Sequence, residues 1–133
     1  NCYALTPTEH EARVSTHNNE DGLVILAELL RRESKSGLVF LKLGEEGLFI
    51  HSSIKNGSTW KNDKIEAINQ SPKDVAGAGD SFLMTSALSL ASKSSIWESA
   101  YLGMIASAIQ VSSVGNVPIN KKKILEVIDL LKS

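Results

Sequence analysis

The chain has 133 residues, 42% of them hydrophobic and 22% charged, with a formal net charge of -1. That length suits one domain or a piece of a larger one, and the near-neutral balance offers no electrostatic footprint for nucleic acid or an anionic membrane. The single cysteine, Cys2, excludes an internal disulfide, no run approaches the roughly 20 apolar residues that span a bilayer, and a basic-then-apolar leader is lacking, so a cytoplasmic setting is expected.

In chain order, Asn1–Leu5 reads as the end of a strand running into a turn at Thr6-Pro7, so the chain is expected to be a fragment that starts inside an element. A short polar helix follows over Thr8–Thr16, with Thr8 as its cap and acidic residues in its first turn. A second helix is expected from about Glu20, because Leu23, Leu26, Ala27 and Leu30 share one face. Gly37 ends that pattern. The apolar run Leu38–Leu41 suits a strand buried on both faces, as in a parallel sheet under helices. A tight turn at Gly44–Gly47 leads to a strand at Leu48–Ile50, and Asn56-Gly57 marks another turn. A weak strand around Ile65, Ala67 and Ile68 stops before Pro72.

Two helices then follow, one over Ser81–Ala91 and one from about Ala100 to Val111. Both are apolar most of the way round and are expected to be buried. A last helix starts near Asn120, a good cap, with Ile124, Val127, Ile128 and Leu131 on its inner stripe. Strands alternating with helices predict an α/β layered fold.

The chemistry concentrates in Asp74-Val75-Ala76-Gly77-Ala78-Gly79-Asp80. Small residues leave this backbone uncovered and open to unusual dihedrals. The first amides of a helix have no intrahelical partners and, with the dipole, form a socket for an anion such as phosphate. Asp80 on the rim of that socket has two readings, a favourable helix-start charge or a general base beside an incoming phosphoryl group. The Walker pattern is absent.

Asp74 to Phe82 resembles the D-T-x-G-A-G-D signature of the ribokinase, or phosphofructokinase B, family of carbohydrate kinases, with Val75 in place of the usual Thr. Leu5–Ala12 resembles the family's T-P-N-x-x-E segment, with Thr8 where the family has Asn. Lys42–Gly47 resembles its strand-turn, and Ala106–Gly115 the helix and loop that close its nucleotide site. The resemblance implies a ribokinase-like fold, with residues 1–133 forming the C-terminal nucleotide-binding part and an N-terminal substrate-binding part missing. It implies ATP-dependent phosphoryl transfer to a hydroxyl of a sugar or sugar phosphate. Asp80 would be the base and the amides of Gly77, Ala78 and Gly79 the anion hole. Lys42, Gly44 and Gly47 would meet the nucleotide, and Glu11 would join a Mg²⁺ and phosphate network. Asp74, Ala76, Ser113 and Gly115 would match a monovalent-cation loop suited to K⁺. Expected partners are nucleotide and sugar, with a homodimer in the full-length form and no nucleic acid or membrane. The alternative is a non-catalytic nucleotide-binding relative or an inactive fragment.

The remaining polar residues have plainer readings. His10, His17 and His51 lack metal-ligand spacing and read as exposed. Glu45-Glu46 and Lys121–Lys123 read as solvated. Trp60 and Trp97 read as packing residues, with the adenine border a second reading for Trp60. Glu11 is equally readable as a capping acid.

Overall fold

A computed structural model describes residues 2–54, 59–69, 71, 73–115 and 117–132. The chain divides into two units, Asn1–Glu66 and Ala67–Ser133. The expected turn at Asn56-Gly57 and the expected stop at Pro72 lie outside the described residues. The α/β fold class holds: the described residues form four strands and five α-helices.

In the first unit, Ala4–Leu5 forms β1, followed by α1 (Glu9–Thr16), α2 (Leu23–Ser34), β2 (Leu38–Lys42), β3 (Leu48–Ile54) and β4 (Thr59–Ile65). The strands lie in the order β1-β2-β3-β4. Only β1 and β2 are parallel; the β2–β3 and β3–β4 pairs are antiparallel. The buried character of Leu38–Leu41 was readable because four consecutive apolar residues leave no polar face. The expectation of a parallel sheet holds for that first pair alone, since a three-residue turn at Gly44–Glu46 can only join antiparallel neighbours. Leu26 and Ala27 of α2 join Ala12, Val39, Leu41 and Phe49 in the core, with Leu5, Leu23 and Leu30 packed around them.

α2 begins three residues later than expected. Asn18 folds residues 18–21 into a turn: its Oδ1 accepts the Asp21 N–H at 3.1 Å and its Nδ2 donates to Asp21 Oδ2 at 2.7 Å. Arg13 closes the same turn by donating to the carbonyls of Asn18 and Asp21. The expected strand near Ile65–Ile68 is instead β4, ending at Ile65. Its Thr59–Lys64 stretch is exposed throughout, so it carries no apolar alternation to reveal it.

His51 corrects the expectation of an exposed histidine. It is fully buried on β3, and its Nε2 lies 2.8 Å from Glu28 Oε2 while Nδ1 lies 2.6 Å from Asn62 Oδ1. Glu28 also accepts from Arg31 Nε at 2.7 Å and Arg32 Nε at 2.6 Å. These bonds tie α2 to both antiparallel strands. The Arg31 guanidinium, with smaller help from His51 and Arg32, holds the Glu28 carboxyl down to about 2.

The second unit consists of α3 (Ala78–Ala91), α4 (Ile96–Val111) and α5 (Lys121–Lys132) with their connections. α3 packs on α4 through Phe82, Ser86 and Ser89; the Ser99 Oγ donates to the Ser89 Oγ at 3.0 Å. The expectation that α3, apolar most of the way round, is buried holds for one side and is corrected for the other: Met84 is 60% and Leu88 63% exposed. α4 starts earlier than expected, at a Ser95/Glu98 capping box in which each residue's side chain takes the other's backbone N–H. Asn120 Oδ1 accepts the Lys123 N–H at 3.0 Å, the expected cap of α5. Of the expected inner stripe of α5, Ile124, Val127 and Ile128 are half-buried and Leu131 is exposed.

Gly103 lets α4 approach α3: a Cβ there would stand 2.8 Å from a Phe82 ring carbon. Gly103→Ala is therefore expected to cost ~1–3 kcal/mol, read as a lower thermal midpoint. An unchanged midpoint would contradict this packing. Glu28 gives a pH dependence with a definite sign. Because its carboxyl sits at about 2 in the folded chain against an ordinary 4.5, its contribution is complete above about pH 5 and fades as pH falls toward 2. The stability gap between wild type and Glu28→Gln, followed by denaturant titration, should narrow over that window; a gap constant down to pH 2 would refute it.

Candidate functional site

The segment before α3 is a held loop. Both carboxylate oxygens of Asp74 accept backbone N–H groups, Oδ1 from Ala76 at 2.9 Å and Oδ2 from Gly115 at 3.0 Å. The Ala76 amide first, then the Gly115 amide, hold the Asp74 carboxyl below the usual carboxylate range. The Val111 carbonyl accepts the Lys73 N–H at 2.8 Å and, more loosely, the Asp74 N–H at 3.4 Å.

Gly77 then takes the left-handed conformation (φ 76°) as the N-cap of α3. A residue with a Cβ adopts that conformation at a cost, which is why glycine suits this position. Its carbonyl accepts the Ser81 N–H at 3.0 Å, and the Ala78 N–H turns back to the Val75 carbonyl at 3.3 Å. The amides of Gly77, Gly79 and Asp80 have no hydrogen-bond partner among the described residues. The expected trio of Gly77, Ala78 and Gly79 thus differs at one position: Ala78 is engaged within the turn, and Asp80 supplies an open amide in its place.

Asp80 is exposed in the first turn of α3 and forms no ion pair among the described residues. The three open amides stand at the N-terminal end of α3, the end at which a helix dipole favours negative charge, and Asp80 carries a carboxylate in the same turn. Ser113 lies just past α4, its N–H donating to the Gln110 carbonyl at 3.4 Å, and Gly115 is left-handed at φ 80°. Asp74, Ala76 and Gly115 are joined directly; Ser113 belongs to the same connection without a bond to Asp74.

The first unit holds a second group. Thr8 bridges to Lys42 alongside β2, and the Lys42 N–H donates to the Pro7 carbonyl at 2.8 Å. Thr8 and Glu11 form a capping box: the Thr8 N–H donates to Glu11 Oε2 at 2.7 Å and the Glu11 N–H to Thr8 Oγ1 at 3.2 Å. The Thr8 backbone first, then its side chain, hold the Glu11 carboxyl below the usual range, with Lys42 adding a smaller pull. Gly44 is exposed at φ 62° with open space around its Cα. Gly47 is buried, donating to the Gly44 carbonyl at 3.1 Å and accepting from Leu43 at 2.8 Å, so it shapes the turn.

No group of three or more His, Cys, Asp or Glu able to hold a metal occurs among the described residues. In the Asp74 loop the Gly115 carbonyl accepts the Gln110 Nε2–H at 3.2 Å. No helix among the described residues is long and apolar enough to cross a membrane.

Gln110 is the site residue that the sequence hid. It is buried at the end of α4, and its Oε1 also accepts the Ser81 Oγ–H at 3.5 Å. A lone glutamine in an apolar helix gives no periodic signal, and its partners are 29 and 5 residues away.

Residues 1–123 match the pfkB family carbohydrate kinase model. Bifunctional protein HldE of Methylobacillus flagellatus is 32% identical over 123 residues, covering 90% of this chain and 24% of that protein. Two solved folds agree: Arabidopsis thaliana ribokinase complexed with ribose and ATP (TM-score 0.77, 22% identity, 95% of this chain and 40% of that one) and Escherichia coli phosphofructokinase-2 in complex with potassium (TM-score 0.80, 17% identity, 100% and 42%). The chain spans about a quarter of the length of that curated relative. With its glycine-capped helix, its Asp74 loop and a family match over nearly all of its length, the chain belongs to the pfkB family of carbohydrate kinases.

Proposed function

We propose that this chain is the nucleotide-binding part of an ATP-dependent kinase that phosphorylates a hydroxyl of a sugar or sugar phosphate. The observation that carries the reading is the open amide set of Gly77, Gly79 and Asp80 beside an exposed, unpaired Asp80 carboxylate. Those amides would neutralise charge on the phosphoryl oxygens as it builds in transfer. Asp80 would accept the proton of the attacking hydroxyl, which is a poor nucleophile while it keeps that proton.

Lys42 and Gly44 are proposed nucleotide contacts, Lys42 for its charge and Gly44 for its uncovered backbone. Gly47 supports the same turn from beneath. Mg²⁺ would arrive with the nucleotide and supply charge neutralisation between its phosphates, with Glu11 orienting that end. K⁺ is proposed for the Asp74, Ala76, Ser113 and Gly115 loop; that a phosphofructokinase-2 of similar fold was solved in complex with potassium favours a cation of that kind. The sugar-contacting part belongs to the proposed remainder of the fold, residues 1–133 being its C-terminal portion, and the whole would work in the cytoplasm, as a homodimer in its full-length form.

Asp80→Asn, in a catalytically competent polypeptide carrying this chain, should lower turnover by ~10²–10⁴-fold while ATP affinity changes little. Unchanged turnover removes Asp80 from the chemistry. A second reading, a nucleotide-binding relative without catalysis, is favoured by the Thr8–Glu11 box, which occupies one Glu11 oxygen. Tight Mg·ATP binding by calorimetry, with no phosphate transferred to any of a panel of sugars, would select it. A melting midpoint that no ATP analogue raises would exclude both.

A further inference from the structure

Two adjacent residues at the end of α4 hold the Asp74–Ser81 segment from both sides. Upstream, the Val111 carbonyl accepts the Lys73 and Asp74 amides. Downstream, Gln110 Oε1 faces the Ser81 hydroxyl at 3.5 Å, one residue past Asp80. Across the loop, Gln110 Nε2 donates to the Gly115 carbonyl at 3.2 Å, and the Gly115 N–H in turn holds Asp74 Oδ2 at 3.0 Å. The contacts Ser81–Gln110–Gly115–Asp74–Ala76 therefore link the two ends of the stretch of backbone that carries the open amides.

Gln110 is only 2% exposed. A buried amide has both a donor and an acceptor to satisfy, and losing either partner costs desolvation, so it is a poor choice for mere filling of space. Leu or Met would fill an apolar helix end as well. An amide suits this position because it grips a hydroxyl with one end and a carbonyl with the other.

We propose that Gln110 is a positioning residue that locks the Asp74–Ser81 turn in its anion-receiving form, acting through Ser81 and Gly115 on the amides and on Asp80. As a role in phosphoryl transfer the inference rests on the kinase reading above; as a lock on the loop it stands on the geometry alone. Gln110 does not touch the reacting atoms. It fixes where they are received, and a displacement on the order of 1 Å at such a site costs about 10²-fold in rate.

The test compares wild type with Gln110→Met, which removes both bonds at similar length, and Gln110→Glu, which keeps the acceptor and loses the amide donor. Hydrogen exchange in the 133-residue chain should speed at least ~10-fold at the Ala76 and Gly115 amides in both variants, while interior amides of α3 and α4 keep their wild-type rates. In a competent polypeptide, kcat should fall ~10–100-fold with KM for ATP changed less than about threefold. Unchanged exchange at Ala76 and Gly115, or uniformly faster exchange through both helices, overturns the proposal and makes Gln110 a plain core residue. Should neither variant fold, wild type alone decides: the Gln110 side-chain Nε2–H protons must be protected and close to Gly115 by NMR, and unprotected ones overturn it. If wild type binds no Mg·ATP, the kinase reading falls while the exchange data still judge Gln110.

Discussion

The carboxylate of Asp74 is the constraint on which the site depends. Its two oxygens each take one backbone amide, from Ala76 just downstream and from Gly115 beyond α4, and so they fasten two connections together. With that loop held, Gly77 enters the left-handed region and turns the chain into α3 with three amides that have no partner among the described residues. Such amides are a liability in an ordinary helix start, where a side-chain cap would satisfy them. α1 and α4 each have such a cap, Thr8 and Ser95. α3 has none, and neither does α2, which starts at Gly22; what sets the α3 end apart is the Asp74 loop that leads into it and the Asp80 carboxylate in its first turn.

The two units contribute differently. In the second, the geometry is built from backbone and from small residues, which suits recognition of phosphate oxygens rather than of a particular side group. In the first, a buried Glu28–His51–Arg31 network makes α2 and the antiparallel strands one piece, leaving the Thr8–Glu11 elbow and the Gly44 turn at strand ends. Removing one partner from a network buried in this way is costly, because it leaves the remaining charge uncompensated.

Much of this was legible in the residues. The apolar run of β2, the cap at Thr8, the stripe of α2 and the glycine-rich turn all depend on local chemistry, which a sequence displays directly. What escaped depended on partners distant in the chain. His51 looked like surface because Glu28 lies 23 residues away, and β4 was missed because an exposed polar strand has no alternation. The burial of α3 was overread: its composition is apolar all round, yet only the Phe82–Ser89 side packs on α4. In the site, the motif marked Asp74, Gly77, Gly79 and Asp80, but which amides stay open is decided by the turn itself. Ala78 bends back to Val75, and no letter of the sequence announces that.

The central claim is that the open amides at the start of α3 receive the phosphates of a nucleotide. The most direct measurement is an amide NMR titration of the chain with Mg²⁺ and a non-hydrolysable ATP analogue. The largest shifts should fall on Gly77, Gly79 and Asp80, with the Ala76 amide following because Asp74 holds it. Saturable shifts centred elsewhere, or none at millimolar ligand concentration, would contradict the account.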